Sequence, residues 1–200
     1  MTELSTLPAY ATKYVREAED ALEASYFLTA VERIAAVFLA ARKEDRTIFF
    51  FGNGGSASTA SHFVTDIAKV AGGTEARGKG RRFRCLSLND NLPGLTAWAN
   101  DVGYAQVFAG PLRALAEKGD VVVAISGSGN SPNVLEGVKA AREMGLTTVG
   151  LTGMGGGKLK DLVDVPMVVP SNSMQHTEDT HLIVLHLLTA YLRDEQPVRD

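Results

Sequence analysis

Five short apolar runs punctuate the chain: TIFFFG (47–52), FRCLSL (83–88), VVVAIS (121–126), TTVGLT (147–152) and VPMVVP (165–170). Each is continuous rather than alternating, the pattern of strands covered on both faces of a parallel sheet. Segments with helical character lie between and after them. They are SASTASHFVTDIAKV (56–70), YAQVFAGPLRALAEK (104–118, with Pro111 as a start or kink), NVLEGVKAAREMG (133–145) and EDTHLIVLHLLTAYLRDE (178–195). Gly145 stands where a helix C-terminus favours glycine. Alternating strands and helices predict an α/β fold, a three-layer αβα sandwich on a five-stranded parallel sheet. The first 45 residues hold no strand, and YFLTAVERIAAVFLAARK (26–43) is more apolar than covering one sheet face requires. We therefore expect one domain over residues 1–200. In it, 1–45 form an N-terminal helical arm that packs against another subunit, and 46–200 form the αβα core.

Ligands of open α/β sheets sit at the carboxyl ends of strands, and two Gly/Ser turns occupy such ends here. In FGNGGSAS, Gly52, Gly54 and Gly55 follow the first strand and Ser56 is placed to cap the next helix. In AISGSGNSPNV, Ser126, Ser128 and Ser131 follow the third strand, with Ser131 a natural N-cap and Pro132 suited to the first helical position. Such turns aim backbone N–H groups and hydroxyls at one point beside a positive helix end, which holds a phosphate without Lys or Arg. A tight βα turn needs Gly and Ser for its own geometry too, so either turn alone is evenly balanced between the two readings. Neither contains G-x-G-x-x-G or a Gly-Lys-Ser/Thr loop, so no nucleotide cofactor is expected and a small phosphorylated ligand remains.

Composition narrows the class further. The 200 residues are 45% hydrophobic with a formal net charge of −3, which disfavours a general nucleic-acid binder. One cysteine, Cys85, cannot form an internal disulfide and fits a reducing, cytoplasmic compartment; inside an apolar strand it reads as core. No run approaches the length of a membrane span, and the polar, acidic N-terminus is unlike a signal peptide. The basic run RGKGRRFR (77–84) reads as a solvated loop.

Titratable groups concentrate in two places. His62 and Asp66 are four apart on one helix and share a face; Glu178, His181 and His186 lie near the C-terminus. On spacing alone, His62–Asp66 is more readily a plain surface pair and His186 a satisfied core histidine.

Taken together, GNGGSASTASHF, SGSGNSPNV, GLTGMGGGKL and EDTHLIVLH resemble the sugar-isomerase (SIS) domains, and among them the phosphoheptose isomerases. The resemblance spans the whole chain, including the arm, and implies a flavodoxin-like SIS fold. It implies isomerisation of sedoheptulose 7-phosphate to D-glycero-D-manno-heptose 7-phosphate in a homotetramer whose active sites form between subunits. It also implies phosphate contacts from Ser126, Gly127, Ser128 and Ser131, and sugar contacts from Asn53, Gly54, Gly55, Ser56, Asp66, Asn100, Asp101 and Glu178. Zinc ligation falls to His62, Asp66, Glu178 and His186, with Asp66 and His186 as the acid/base pair. Three positions depart from the family pattern: Gly127 replaces a Thr, Asp66 a Glu, and Glu178 a Gln. Glu178 and His186 are eight residues apart, about 12 Å along a helix, so both reach one ion only if Glu178 lies at or before the helix start. The family also admits another sugar or amino-sugar phosphate as substrate. It includes catalytically silent relatives that bind a replication initiator, a role for which His62 and His186 are not needed.

Overall fold

The computed structural model describes residues 6–23, 25–71 and 82–194. Five strands form one all-parallel sheet: β1 (Thr47–Gly52), β2 (Arg84–Ser87), β3 (Val121–Ser126), β4 (Thr147–Thr152) and β5 (Val165–Val168), in the order β2-β1-β3-β4-β5. All five lie inside the predicted apolar runs.

The continuity of those runs has a direct structural cause. Ile48 and Phe50 point to one face of β1 and Phe49 and Phe51 to the other, because successive strand side chains alternate. On the first face, α2 (Ser25–Lys43), α3 (Gly55–Asp66) and α8 (Met174–Asp194) cover the sheet with Ile34, Phe38, Phe63, Leu185 and Leu188. On the second, α5 (Ala109–Leu115), α6 (Pro132–Glu143) and α7 (Leu159–Leu162) supply Leu112, Val134, Val138 and Leu159. Phe50 stacks on Phe63 and Phe51 on Phe108, with centroids 5.3 and 4.8 Å apart, so aromatic pairs bind β1 to both layers.

The apolar surplus of 26–43 is taken up largely within the chain: Phe27, Ala30, Val31, Ile34, Phe38 and Ala41 of α2 are buried against its own sheet. The outlying helix is instead α1 (Leu7–Glu23), where Ala21 is buried and Leu7, Tyr10 and Val15 are exposed.

Several helical boundaries differ from expectation, among them the start of α8 at Met174 rather than residue 178. The helix predicted over 104–118 is a 3-10 turn at Tyr104–Gln106 followed by α5, with Pro111 in the first turn. An additional helix, α4 (Leu92–Asp101), precedes it, capped by the Asn91 side chain on Gly94 N–H at 3.1 Å with a proline in its first turn. The signal for α4 was present in NLPG, as a capping residue followed by Pro. The helix after β1 continues past Asp66 as a single π-turn, Ile67–Ala71. Most of the basic run, residues 77–81, lies outside the described residues.

Candidate active site

The strand order places a switch point between β1 and β3, where α3 departs to one face and α6 to the other. The two Gly/Ser turns meet there and line a cavity of about 260 Å³. Asn53, Gly54, Gly55 and Ser56 form one wall, Ser126, Gly127, Ser128 and Ser131 a second, and Met174 and Glu178 of α8 a third.

The β3–α6 turn is pinned rather than loose. Gly153 N–H donates to Gly127 O at 2.9 Å, Leu159 N–H to Gly129 O at 3.0 Å, and Asn130 bridges Ser128 O and Lys158 N–H. Gly129 has φ +65°, and a Cβ there would lie 2.0 Å from Gly156 O, so only glycine fits. Pro132 opens α6 as expected and Ser131 holds the N-cap position, but its Oγ lies 3.2 Å from Ser126 Oγ instead of capping a backbone N–H. Ser56 is no cap either: Gly54, at φ 55°, takes that position and Ser56 is buried in the first turn of α3. The positive φ of Gly54 lets the helix begin two residues earlier than a Ser56 cap would.

Electrostatics separates the two turns. The Glu178 carboxylate lies against Gly55, where a Cβ would sit 2.7 Å from either oxygen, so the positive end of α3 already faces an anion. The N-terminus of α6, with Ser126, Ser128 and Ser131 beside it, borders the same cavity. Among the described residues, no cation lines the cavity.

Sequence reasoning missed the side chains that lock the turns together. Asn53 and Asn133 exchange reciprocal amide hydrogen bonds of 2.8 Å, and Tyr104 OH donates to Asn53 Oδ1 at 3.0 Å. Asn133, buried in the first turn of α6, carried no local mark of this role, since its partner lies 80 residues away.

The second half of the site lies further along the same two helices. His62 Nε2 is 3.4 Å and His186 Nε2 3.9 Å from Asp66 Oδ2, and the imidazole centroids are 5.1 Å apart. One donor atom from each of these three residues falls within 4.8 Å of the others. Two imidazoles and a carboxylate are a donor set of the kind that would suit zinc.

Three expected members stand apart within the chain. Glu178 lies inside α8, one turn past its start at Met174 rather than at or before it, so the helix rise carries it away from His186 and it does not join the cluster. Asn100 and Asp101 are exposed at the end of α4, hydrogen-bonded to each other at 2.8 Å, and do not line the cavity.

The remaining titratable groups in this region are structural. His181 is buried with Nε2 3.4 Å from Thr152 O, and burial pushes its pKa down to about 4 against the opposing pull of that carbonyl. Tyr14 OH donates to Asp179 at 2.5 Å, a bond that raises its pKa to about 12, and its ring meets the buried His176 edge-on. Burial likewise pushes the Cys85 thiol up to about 12, which leaves it no role as a thiolate at neutral pH.

Residues 11–153 match the SIS domain family. The chain belongs to that family. It is 38% identical to a phosphoheptose isomerase of Aliarcobacter butzleri over 82% of this chain and 85% of the relative. It is 35% identical to a probable phosphoheptose isomerase of Thermoplasma acidophilum over 92% and 98%. Among solved structures, a phosphoheptose isomerase from Neisseria gonorrhoeae superposes with a TM-score of 0.82 at 31% identity, covering 93% of this chain and 96% of that one.

Proposed function

We propose that this SIS protein is an aldose–ketose isomerase that converts sedoheptulose 7-phosphate to D-glycero-D-manno-heptose 7-phosphate. The observation that carries the reading is one helix pair serving two tasks. The N-terminal turns of α3 and α8 border the phosphate-type cavity, while His62, Asp66 and His186 converge further down both helices. From Gly55 to His62 the helix rises about 10 Å, room for an extended sugar chain between a seated phosphate and the histidine cluster. The likeness to phosphoheptose isomerases of known sequence and structure supports the same substrate.

In this mechanism the Ser126–Ser131 turn and the N-terminus of α6 hold the phosphate, and Glu178 accepts hydrogen bonds from sugar hydroxyls. Moving the carbonyl between C1 and C2 passes through an enediol, which requires a carbon-bound proton to be removed and returned. Asp66 takes that proton from one carbon and gives it to the other. His186, in contact with Asp66, exchanges a proton with the sugar oxygens. His62, Asp66 and His186 are also the residues that would hold zinc, which when bound would supply charge stabilisation of the developing oxyanion. Ile183, Leu187 and Tyr191 form an exposed apolar stripe on α8 beside His186. This stripe supports assembly into a homotetramer whose interface encloses the site, with Asn100 and Asp101 contributing at that interface. Residues 1–200 are read as one domain with its N-terminal helices in the assembly, and no single helix among the described residues is long and apolar enough to cross a membrane. A cytoplasmic setting belongs to the same reading.

Incubation with sedoheptulose 7-phosphate, with and without a chelator, tests this directly. Aldose formation that is lost on chelation and restored by zinc is the expected result. Thermal stabilisation by the sugar phosphate without turnover would establish a silent binding protein instead.

A further inference from the structure

The Asn53–Asn133 pair fixes which end of an amide meets the cavity. An asparagine offers two donor hydrogens on Nδ2 and two lone pairs on Oδ1, and a flip exchanges them. At Asn133 the backbone decides the flip: Val134 N–H, which can only donate, does so to Asn133 Oδ1 at 3.0 Å. That oxygen accepts from Asn53 Nδ2 as well, and Asn133 Nδ2 donates back to Asn53 Oδ1, both at 2.8 Å. Tyr104 OH is a second donor to Asn53 Oδ1, at 3.0 Å. Both lone pairs of that oxygen are thereby spent, and one N–H of Asn53 Nδ2 is left over. Inverting the Asn53 amide would set oxygen against oxygen and nitrogen against nitrogen. Asn133 is 2% exposed, so water does not replace the lost bonds. Asn53 itself is half-buried and lines the cavity.

We propose that Asn133 and Tyr104 are positioning residues that hold Asn53 as a fixed donor to an oxygen of the sugar chain. The proposal rests on the sugar-phosphate reading above. In that reading the serine wall takes the phosphate, and Asn53, on the β1 wall, turns its remaining N–H to a hydroxyl or carbonyl oxygen of the sugar. Neither Asn133 nor Tyr104 lines the cavity, so each acts through Asn53. The amide is oriented before the ligand arrives, and the sugar meets a donor that needs no ordering.

The test uses dissociation constants for sedoheptulose 7-phosphate and inorganic phosphate, read from ligand-induced thermal stabilisation, so that binding is scored whether or not the protein turns over. Wild-type binding without turnover would count against the isomerase reading alone; no wild-type binding would overturn both. Asn133→Ala should weaken sedoheptulose 7-phosphate binding about fivefold, near the worth of one hydrogen bond. In the Asn53→Ala background the same change should cost less than about twofold, because residues acting through one contact couple. Inorganic phosphate, which meets only the serine wall, should bind each variant as it binds the wild type. Tyr104→Phe removes one hydroxyl at an exposed position, so it tests the same orientation should Asn133→Ala fail to fold, with a loss of about threefold expected. An Asn133→Ala effect equally large in both backgrounds, a matching loss of phosphate affinity, or a Tyr104→Phe protein that binds the sugar phosphate like the wild type would overturn the proposal.

Discussion

The two ends of the α3–α8 pair are built by opposite means. At the cavity end, shape comes from backbone: glycines 127, 129 and 153 permit close approaches, and hydrogen bonds to Gly127 O and Gly129 O fix the β3–α6 turn. At the other end, three side chains converge, with the His186 side chain 58% exposed. Backbone fixed at the sheet's switch point would need no ordering to receive the phosphate of the proposed substrate, which preorganises that binding. The histidine–carboxylate end gains its chemistry from groups that can exchange protons and accept a metal, and such groups must remain accessible. Binding and catalysis should therefore fail separately.

The largest expected effect breaks the histidine–carboxylate end alone. Asp66→Asn and His186→Ala should each lower the isomerase rate about 10³-fold, within the range of general acid–base catalysis. Stabilisation by sedoheptulose 7-phosphate should persist, as steady-state kinetics and melting curves would show. Variants that kept full activity would remove both residues from the proton path.

The opposite break acts on the preorganised end. Gly129→Ala combines a positive φ with a collision against Gly156 O and should cost about 3 kcal/mol of stability. Gly54→Ala has a similar φ, +55°, with nothing within 4 Å of the added Cβ, and should cost about 1 kcal/mol. Urea titration of the two separates strain from crowding.

His181 sharpens the contrast by pH. Its pKa falls from 6.5 to about 4 on folding, so the unfolded chain binds more protons between these values and stability declines as pH drops through them. From pH 7 to pH 5 this amounts to ~2 kcal/mol. His181→Asn should show a shallower pH slope in urea midpoint than the wild type; parallel slopes would place the titration elsewhere.

The smallest effect is expected at Asn100 and Asp101. Both lie off the cavity within one chain, so in dilute monomer Asn100→Ala should change sugar-phosphate affinity less than twofold. A larger loss that appears only in the assembled protein would mean that a second copy carries α4 onto the site.

Much of this was legible in the sequence because the signals are local. Continuous apolar runs reported a sheet covered on both faces, Ser131–Pro132 reported the start of α6, and the i,i+4 spacing of His62 and Asp66 put them on one helix face. Where local signals competed, the reading drifted. Gly54 displaced Ser56 as cap because its positive φ starts the helix earlier, and the 3-10 turn at Tyr104 divided a segment whose periodicity looked unbroken.

The sequence by itself determined the strands, the two Gly/Ser turns and the shared helix face of His62 and Asp66, since each depends on neighbours within one turn or strand. Tertiary structure alone decided their partnerships. It put His186 beside Asp66 and separated Glu178 from both, because the start of α8 at Met174 sets which turn each residue occupies. It paired Asn53 with Asn133 and laid Met174 on Gly127, contacts that exist only because a parallel sheet brings distant strand ends to one edge.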